Sequence, residues 1–225
     1  DGATAIFHKG TNQLVVRNTS RNIELVGFYL NSLISDLAKT IRIQLSLYEI
    51  PSQTGYPLLD NHINTMDARG LIRDLNSKLK NGGAKIVASP ILNTRSGERA
   101  EITLGNRITY IEKFKRTKEG DIPQYQTITH GTVFEIDPTI GNDGCTIDLN
   151  FTFRHSLGNP FRTMHTSTKK TFEVERIDIP SFEVAASTRV FKSIPQLVGN
   201  GQHRDKLYIA IVSSHLAEPS QQFSK

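Results

Sequence analysis

The chain has 225 residues, 37% of them hydrophobic and 22% charged, with a formal net charge of +5. This length and balance fit a globular protein of one large domain or of a small and a larger one, and no apolar run reaches the ~20 residues of a membrane-spanning helix. A pI near 9.3 favours anionic partners such as nucleic acid, anionic lipid or acidic glycan without choosing among them. The single cysteine, Cys145, excludes an intramolecular disulfide and a cysteine-based metal cluster.

Asp1 opens the sequence without a methionine, which suits an exported, processed chain and a cloned segment equally. Ala3–Phe7 and Gln13–Asn18 are short apolar runs around Lys9, Gly10, Thr11 and Asn12, the pattern of a hairpin with a glycine turn. A helix follows, capped by Thr19 or Ser20, with Ile23, Val26, Leu30, Leu33 and Leu37 at helical spacing. These elements predict a small β-β-α module over residues 1–38, too small to be stable alone, and a second domain over 39–225.

Ile41–Ile50 alternates with period two, so Ile41, Ile43, Leu45 and Leu47 share one face of a strand. After a loop over Pro51–Asn64, Asp67 is placed to cap a helix whose stripe is Leu71, Ile72, Leu75 and Leu79 and which ends at Gly82 and Gly83. Everything beyond reads as β. Lys85–Phe114 contains two apolar strands and a polar turn, with Pro90 inside the first; proline cannot donate to a sheet ladder, so a break between two shorter strands is expected there.

Gly131–Ile140 and Cys145–His155 flank Asn142, Asp143 and Gly144 as the arms of a β-hairpin. In the second arm Ile147, Leu149, Phe151 and Phe153 face one way and Asp148, Asn150, Thr152 and Arg154 the other, as in a sheet with one wet face. Further strands are expected in Thr171–Ile179, Phe182–Ile194 and Lys206–Leu216. The fold class is α+β: a small N-terminal α/β module, then a mainly antiparallel β domain carrying one or two helices.

Chemical motifs are missing. The sequence has no phosphate-cradling glycine loop, no nucleophile elbow and no His-Glu-x-x-His helix, which argues against an enzyme and against a bound cofactor. Cys145 is expected to be a small, half-buried apolar residue in a strand. His155 and His165 flank a loop and are expected to be exposed there rather than to bind metal. Glu135 and Asp137 read as the wet face of a strand and not as an acid/base pair. The basic run at Lys113, Lys115, Arg116 and Lys118 falls on a hairpin tip, where it is either a contact for phosphate, anionic head groups or nucleic acid, or a solvated loop.

The β half resembles the secretins, the ring-forming outer-membrane proteins of type II and type III secretion and of type IV pilus machines. The resemblance runs through Ser89 and Pro90, Ala100 to Gly105, Ile108 and Tyr110, then Gly131, Val133, Phe134, Ile136 and Pro138, and the Asp143-Gly144 turn. Phe182–Gly199 is similar to the strand pair before the family's glycine-rich segment, and Lys206–Leu216 to its last apolar strand. The first 33 residues are similar to the α/β modules that pack side by side into periplasmic rings. Two segments depart from the pattern: Gly199, Asn200, Gly201, Gln202 and His203 replace a glycine- and proline-rich stretch, and Ser213, Ser214 and His215 replace an acidic, apolar strand ending in Thr-Pro.

The resemblance implies an exported structural or assembly component of the bacterial cell envelope, in the periplasm or outer membrane. It implies association with copies of itself or with other envelope and pilus proteins. The alternative is a monomeric module of the same fold that binds an anionic ligand, a glycan, lipid head group or DNA, through the basic tip.

Overall fold

A computed structural model describes residues 2–10, 13–62, 64–117, 120–166 and 173–217. Its N-terminal part is β1 (Thr4–His8), paired antiparallel with β2 (Gln13–Arg17), followed by α1 (Ser20–Ala38). At the start of α1 the Thr19 carbonyl accepts the Asn22 and Ile23 N–H groups, both at 3.0 Å. The side chain that ties this turn is Asn18 rather than Thr19 or Ser20: its Oδ1 accepts the Thr19 N–H at 2.8 Å and the Asn22 side-chain amide at 2.9 Å. Of the helical stripe, Ile23 and Leu30 are exposed beside Phe28 and Tyr29 and Val26 is half-buried; the side chains of Leu33 and Leu37 lie outside the described residues.

The rest is built from two face-to-face antiparallel sheets with helices on one outer side. The first sheet comprises β3 (Thr40–Pro51), β4 (Lys85–Ala88), β5 (Ile91–Arg95), β12 (Gln196–His203) and β13 (Lys206–Ala217), in the order β12-β13-β3-β4 with β5 also on β3. The second comprises β6 (Ala100–Thr117), β7 (Gly120–Ile140), β8 (Thr146–Ser156) and β11 (Ser181–Phe191), in the order β11-β8-β7-β6. A separate hairpin joins β9 (Phe161–Thr166) to β10 (Glu173–Asp178).

The alternation read from the sequence places the core. Ile41, Ile43, Leu45 and Leu47 of β3 meet Phe134, Ile136, Ile147, Leu149, Phe151 and Phe153 of the second sheet, all at or below 5% exposure. A ladder of rings runs through this layer: Phe151, Phe134, Phe153, Phe182 and Tyr208, with successive centroids 6.5, 6.0, 6.4 and 6.3 Å apart, the first three contacts edge-on and the last tilted. The opposite face of the first sheet, through Tyr48, Ile50, Leu207, Ile209 and Ile211, is covered by Leu59, Ala68, Leu71 and Leu75. β13 is thus buried on both faces, which accounts for its continuous apolar run.

One of those covering helices replaces an expected loop. α2 (Ser52–Asp60) occupies the first part of Pro51–Asn64. Its Ser, Thr, Gly and Pro content reads as a turn, and Pro57 lies inside it, but tertiary contacts override the local preference. Leu59 is buried, Gly55 lies against Ile50 and Leu207, and the Tyr56 hydroxyl donates to Gln202 Oε1 at 2.8 Å. α3 (Arg69–Lys80) follows with Leu71 and Leu75 buried, but its N-cap is Ala68 rather than Asp67 and makes no side-chain cap bond; Asp67, one residue earlier, accepts the Arg69 N–H on Oδ1 at 2.9 Å. At its end Gly82 takes φ +70° and the Gly83 N–H reaches back to the Lys78 carbonyl at 2.8 Å.

The break at Pro90 also stands. β4 and β5 pair with successive parts of β3, and Ser89-Pro90 is the bend between them. The bend is bonded rather than open: the Pro90 carbonyl accepts the Leu45 N–H at 3.2 Å, and Ser89 Oγ accepts from the Gln44 side chain at 2.8 Å. Cys145 departs from its expectation: it is exposed, because it precedes Thr146 and the last ladder pair of the β7–β8 hairpin, Ile140 with Ile147.

Candidate functional site

Among the described residues no group of three or more His, Cys, Asp or Glu side chains is placed to hold a metal ion. Glu135 carries an ion pair with Arg99 on the outer face of the second sheet, with the exposed Asp137 two residues along, in keeping with a wet strand face. No described helix is long and apolar enough to cross a membrane, a statement that leaves strands aside. The feature that stands apart is the β6–β7 hairpin.

Its two strands, 18 and 21 residues long, stay paired from Ala100 with Ile136 to Thr117 with Gly120. β7 is paired with β8 only from Thr132 to Ile140, so from Gly105 and Gly131 outward the hairpin continues as a two-stranded ribbon. β10 runs beside β6. The ribbon and its base show apolar side chains to solvent: Leu104 is 51% exposed, Ile122 52% and Tyr125 65%. A free two-stranded ribbon is marginal in water, and an apolar surface on one marks a place for neighbours.

Near the tip Lys113 and Lys115 are exposed and two residues apart on one strand, which puts them on the same face, while the partly covered Phe114 lies between them on the other. Lys113 Nζ lies 3.8 Å from Glu112 Oε2. Arg116 belongs to β6, but its side chain, like Lys118 as a whole, is outside the described residues.

The base of the hairpin is more closely built. Gly105 and Gly131 are register partners, with φ of +152° and +149°. A Cβ on Gly105 would fall 2.3 Å from the His130 carbonyl oxygen and one on Gly131 2.2 Å from that of Leu104, so the two backbones approach as only glycine allows. Three adjacent residues of β7 are tied to β8 and the loop after it: His130 Nε2 donates to the Gly158 carbonyl at 3.0 Å, the Gly131 N–H to Ser156 Oγ at 3.0 Å, and Thr132 Oγ1 and His155 Nδ1 share a hydrogen bond of 2.8 Å. His155 is therefore a partly buried strand residue and not the exposed loop residue expected; burial and the neighbouring His130 hold its imidazole below the ordinary range, against the pull of Glu49. His165 falls in β9, with its side chain outside the described residues.

Beside this base the two sheets end in a polar group. Glu49 Oε2 accepts the Tyr208 hydroxyl at 3.0 Å, and Lys85 and Lys206 stand 3.4 and 4.0 Å from Glu49 Oε1. Burial first, then the Glu49 carboxylate, pushes the Tyr208 phenol up to about 12. A cleft of about 490 Å³ opens here, lined among others by Asn159, Phe161, Arg204 and Lys206.

Residues 79–187 match the family model of the secretin domain, described as a bacterial type II and III secretion system protein. No curated protein matches the sequence. Among solved structures the chain is similar to the secretin-domain β-barrel of InvG from the Salmonella SPI-1 injectisome, at 14% identity over 99% of this chain and 75% of that one, with a TM-score of 0.45. It is also similar to ExeD of Aeromonas hydrophila, at 9% identity over 96% of this chain and 56% of that one, TM-score 0.47. The type II secretin GspD of enteropathogenic Escherichia coli gives 9% identity, 95% and 79% coverage, and a TM-score of 0.45.

Proposed function

We propose that this chain, whose residues 79–187 match the secretin family model, is a secretin-family component of a bacterial secretion system in the cell envelope, a structural subunit or accessory that assembles with copies of itself or with other envelope or pilus proteins. The observation that carries this reading is the outer ribbon of the β6–β7 hairpin, which leaves the sandwich with an edge on β7 that pairs with no further strand among the described residues and with Leu104, Ile122 and Tyr125 uncovered. Unpaired edges and uncovered apolar side chains are what lateral association consumes. The role is structural and needs no catalytic group. Residues 1–38 act in it as a separate small module whose exposed Ile23, Phe28, Tyr29 and Leu30 add a second apolar surface, with 39–225 forming the secretin-like domain; the site of work is the periplasm or outer membrane. Sedimentation and native mass measurement test the proposal: oligomers or captured envelope partners are expected, and a strictly monomeric species at high concentration with no partner from envelope extracts overturns it.

A second reading is favoured by the exposed pair Lys113 and Lys115 near the tip. In it the tip, with Arg116 and Lys118, contacts an anionic ligand such as a lipid head group, glycan or DNA. Vesicles carrying anionic lipid are the direct probe. Binding should weaken in salt and on changing all four residues to Ala; binding that survives ~0.5 M salt, far beyond the range of exposed charge attraction, removes this reading.

A further inference from the structure

The turn beside the Glu49 cleft holds an arginine where a glycine is the ordinary choice. β12 and β13 are joined by the two residues that follow their last ladder pair, His203 with Lys206, and the first of these, Arg204, takes φ +56°. A positive φ at the first central position of a two-residue hairpin turn favours glycine, because a Cβ there crowds the backbone. The strained turn is braced from both ends. The Arg204 carbonyl accepts the Gln202 side-chain amide at 2.7 Å, and Gln202 Oε1 in turn accepts the Tyr56 hydroxyl at 2.8 Å. The Asp205 carbonyl accepts the Ser52 N–H, at the head of α2, at 2.8 Å. Strain that the surroundings pin so fully points to a role for the side chain that carries it.

We propose that the cleft beside Glu49 binds a small molecule bearing a singly charged oxyanion, a carboxylate or a phosphodiester, with the charged head gripped by Arg204 and an apolar body lying on Phe161 and Pro180.

Charge gives the ligand its sign. The fixed charges around the cleft are Lys85, Arg204 and Lys206 against Glu49 and Asp205, an excess of one positive charge. Lys85 and Lys206 both lean on Glu49 Oε1, at 3.4 and 4.0 Å. Arg204 is exposed and has no ion-pair partner among the described residues. Its guanidinium is therefore the uncommitted donor, and its planar fork matches the two oxygens of a carboxylate or phosphodiester. Across the cleft stand Leu157, Phe161 and Pro180, with Phe161 54% exposed. That wall is held as firmly as the turn: the Leu157 N–H donates to the Pro180 carbonyl at 2.7 Å, and the Gly158 carbonyl accepts from His130 at 3.0 Å. A preformed cleft of about 490 Å³ with one apolar wall and a few placed polar groups suits a small molecule. The site lies within one chain, so its existence does not depend on whether the protein assembles.

Benzoate and diethyl phosphate are the probes, titrated into the whole protein near neutral pH and followed by amide NMR shifts. Saturable shifts are expected at residues 157–161 and 203–206 with at least one of the two, and the stronger probe identifies the head group. Arg204→Gly should weaken binding about tenfold or more, the worth of one charged hydrogen bond, and should melt about 2–4 °C higher as the strain is relieved. A variant that gains stability as it loses the ligand separates a residue kept for binding from one kept for the fold. Arg204→Asn, which also tolerates left-handed backbone, is the second variant and should bind as weakly. Shifts that do not saturate at tens of millimolar probe, that fall elsewhere on the chain, or that are as strong in either variant overturn the proposal. So does an Arg204→Gly protein that melts below the wild type.

Discussion

Gly105 and Gly131 face each other across the β6–β7 ladder in matching positive-φ conformations, so close that a methyl group on either would meet the opposite main chain at 2.2–2.3 Å. This mutual approach is where the hairpin turns from a packed part of the second sheet into a two-stranded ribbon. Either Gly105→Ala or Gly131→Ala should destabilise the protein by about 2–4 kcal/mol, from backbone strain and the steric clash together. Urea unfolding would show it. Gly27→Ala is the contrast: it lies inside α1 with nothing within 4 Å of the added carbon, and should be neutral or stabilising by up to about 1 kcal/mol through helix propensity.

Phe134 stands at the centre of the ring ladder, in edge contact with both Phe151 and Phe153 and fully buried. Truncation to Ala should cost about 3–5 kcal/mol, the transfer term plus the cavity. Replacement by Leu should cost less, and the difference between the two denaturation midpoints measures how far the layer can close.

Gly55 is buried where α2 meets the first sheet. A Cβ there would lie 2.7 Å from Ile50 Cγ2 and 2.8 Å from Leu207 Cδ2, both on fully buried side chains. Gly55→Ala should therefore destabilise by about 1–3 kcal/mol despite improving helix propensity, because overpacking outweighs it. Thermal unfolding distinguishes the two signs.

Asp143 organises the β7–β8 turn: its Oδ1 accepts the Cys145 N–H at 2.9 Å and the Thr146 N–H and hydroxyl, both at 2.8 Å. These bonds, the Thr146 N–H first, hold its carboxyl below the ordinary 3.8. The sign follows: the stabilisation is complete above 3.8 and disappears as pH falls through the lower, folded value. Asp143→Asn keeps an acceptor that does not titrate. Its stability should fall less steeply than that of the wild type when denaturation is repeated from about pH 5 to pH 2, the range over which a paired carboxylate loses its charge.

Periodicity made the core legible. The strands whose alternation is plainest, at Ile41–Leu47 and Ile147–Phe153, supply both walls of the main core, and Pro90 marked a true break. α2 was hidden because Gly55 and Pro57 punctuate a segment that only its fit against Ile50 and Leu207 makes helical. β12 was obscured by Gly199, Asn200 and Gly201, which suit a strand at a sheet edge but signal a loop. Cys145 kept the parity of the buried Ile147 and Leu149, yet the partner strand stops short of it. As to the candidate site, Lys113 and Lys115 of the basic run lie near a hairpin end, whereas the facing of Gly105 and Gly131, and of Thr132 and His155, depends on register over 23 or more residues and could not be read locally.

The placement of β13 bears on how the chain reaches its native state. Its neighbour β3 lies far away in sequence, with Glu49 and Tyr208 separated by 159 residues. At about 5–20 residues per second of synthesis, that separation is roughly 8–30 s. During it β4 and β5 can pair with one edge of β3 while the other edge, which β13 takes in the native fold, waits unpaired. Such non-local pairing is slow and open to aggregation, so the nascent chain passes through a window in which β3 is a sticky half-sheet and a client for chaperones until its partner strand arrives.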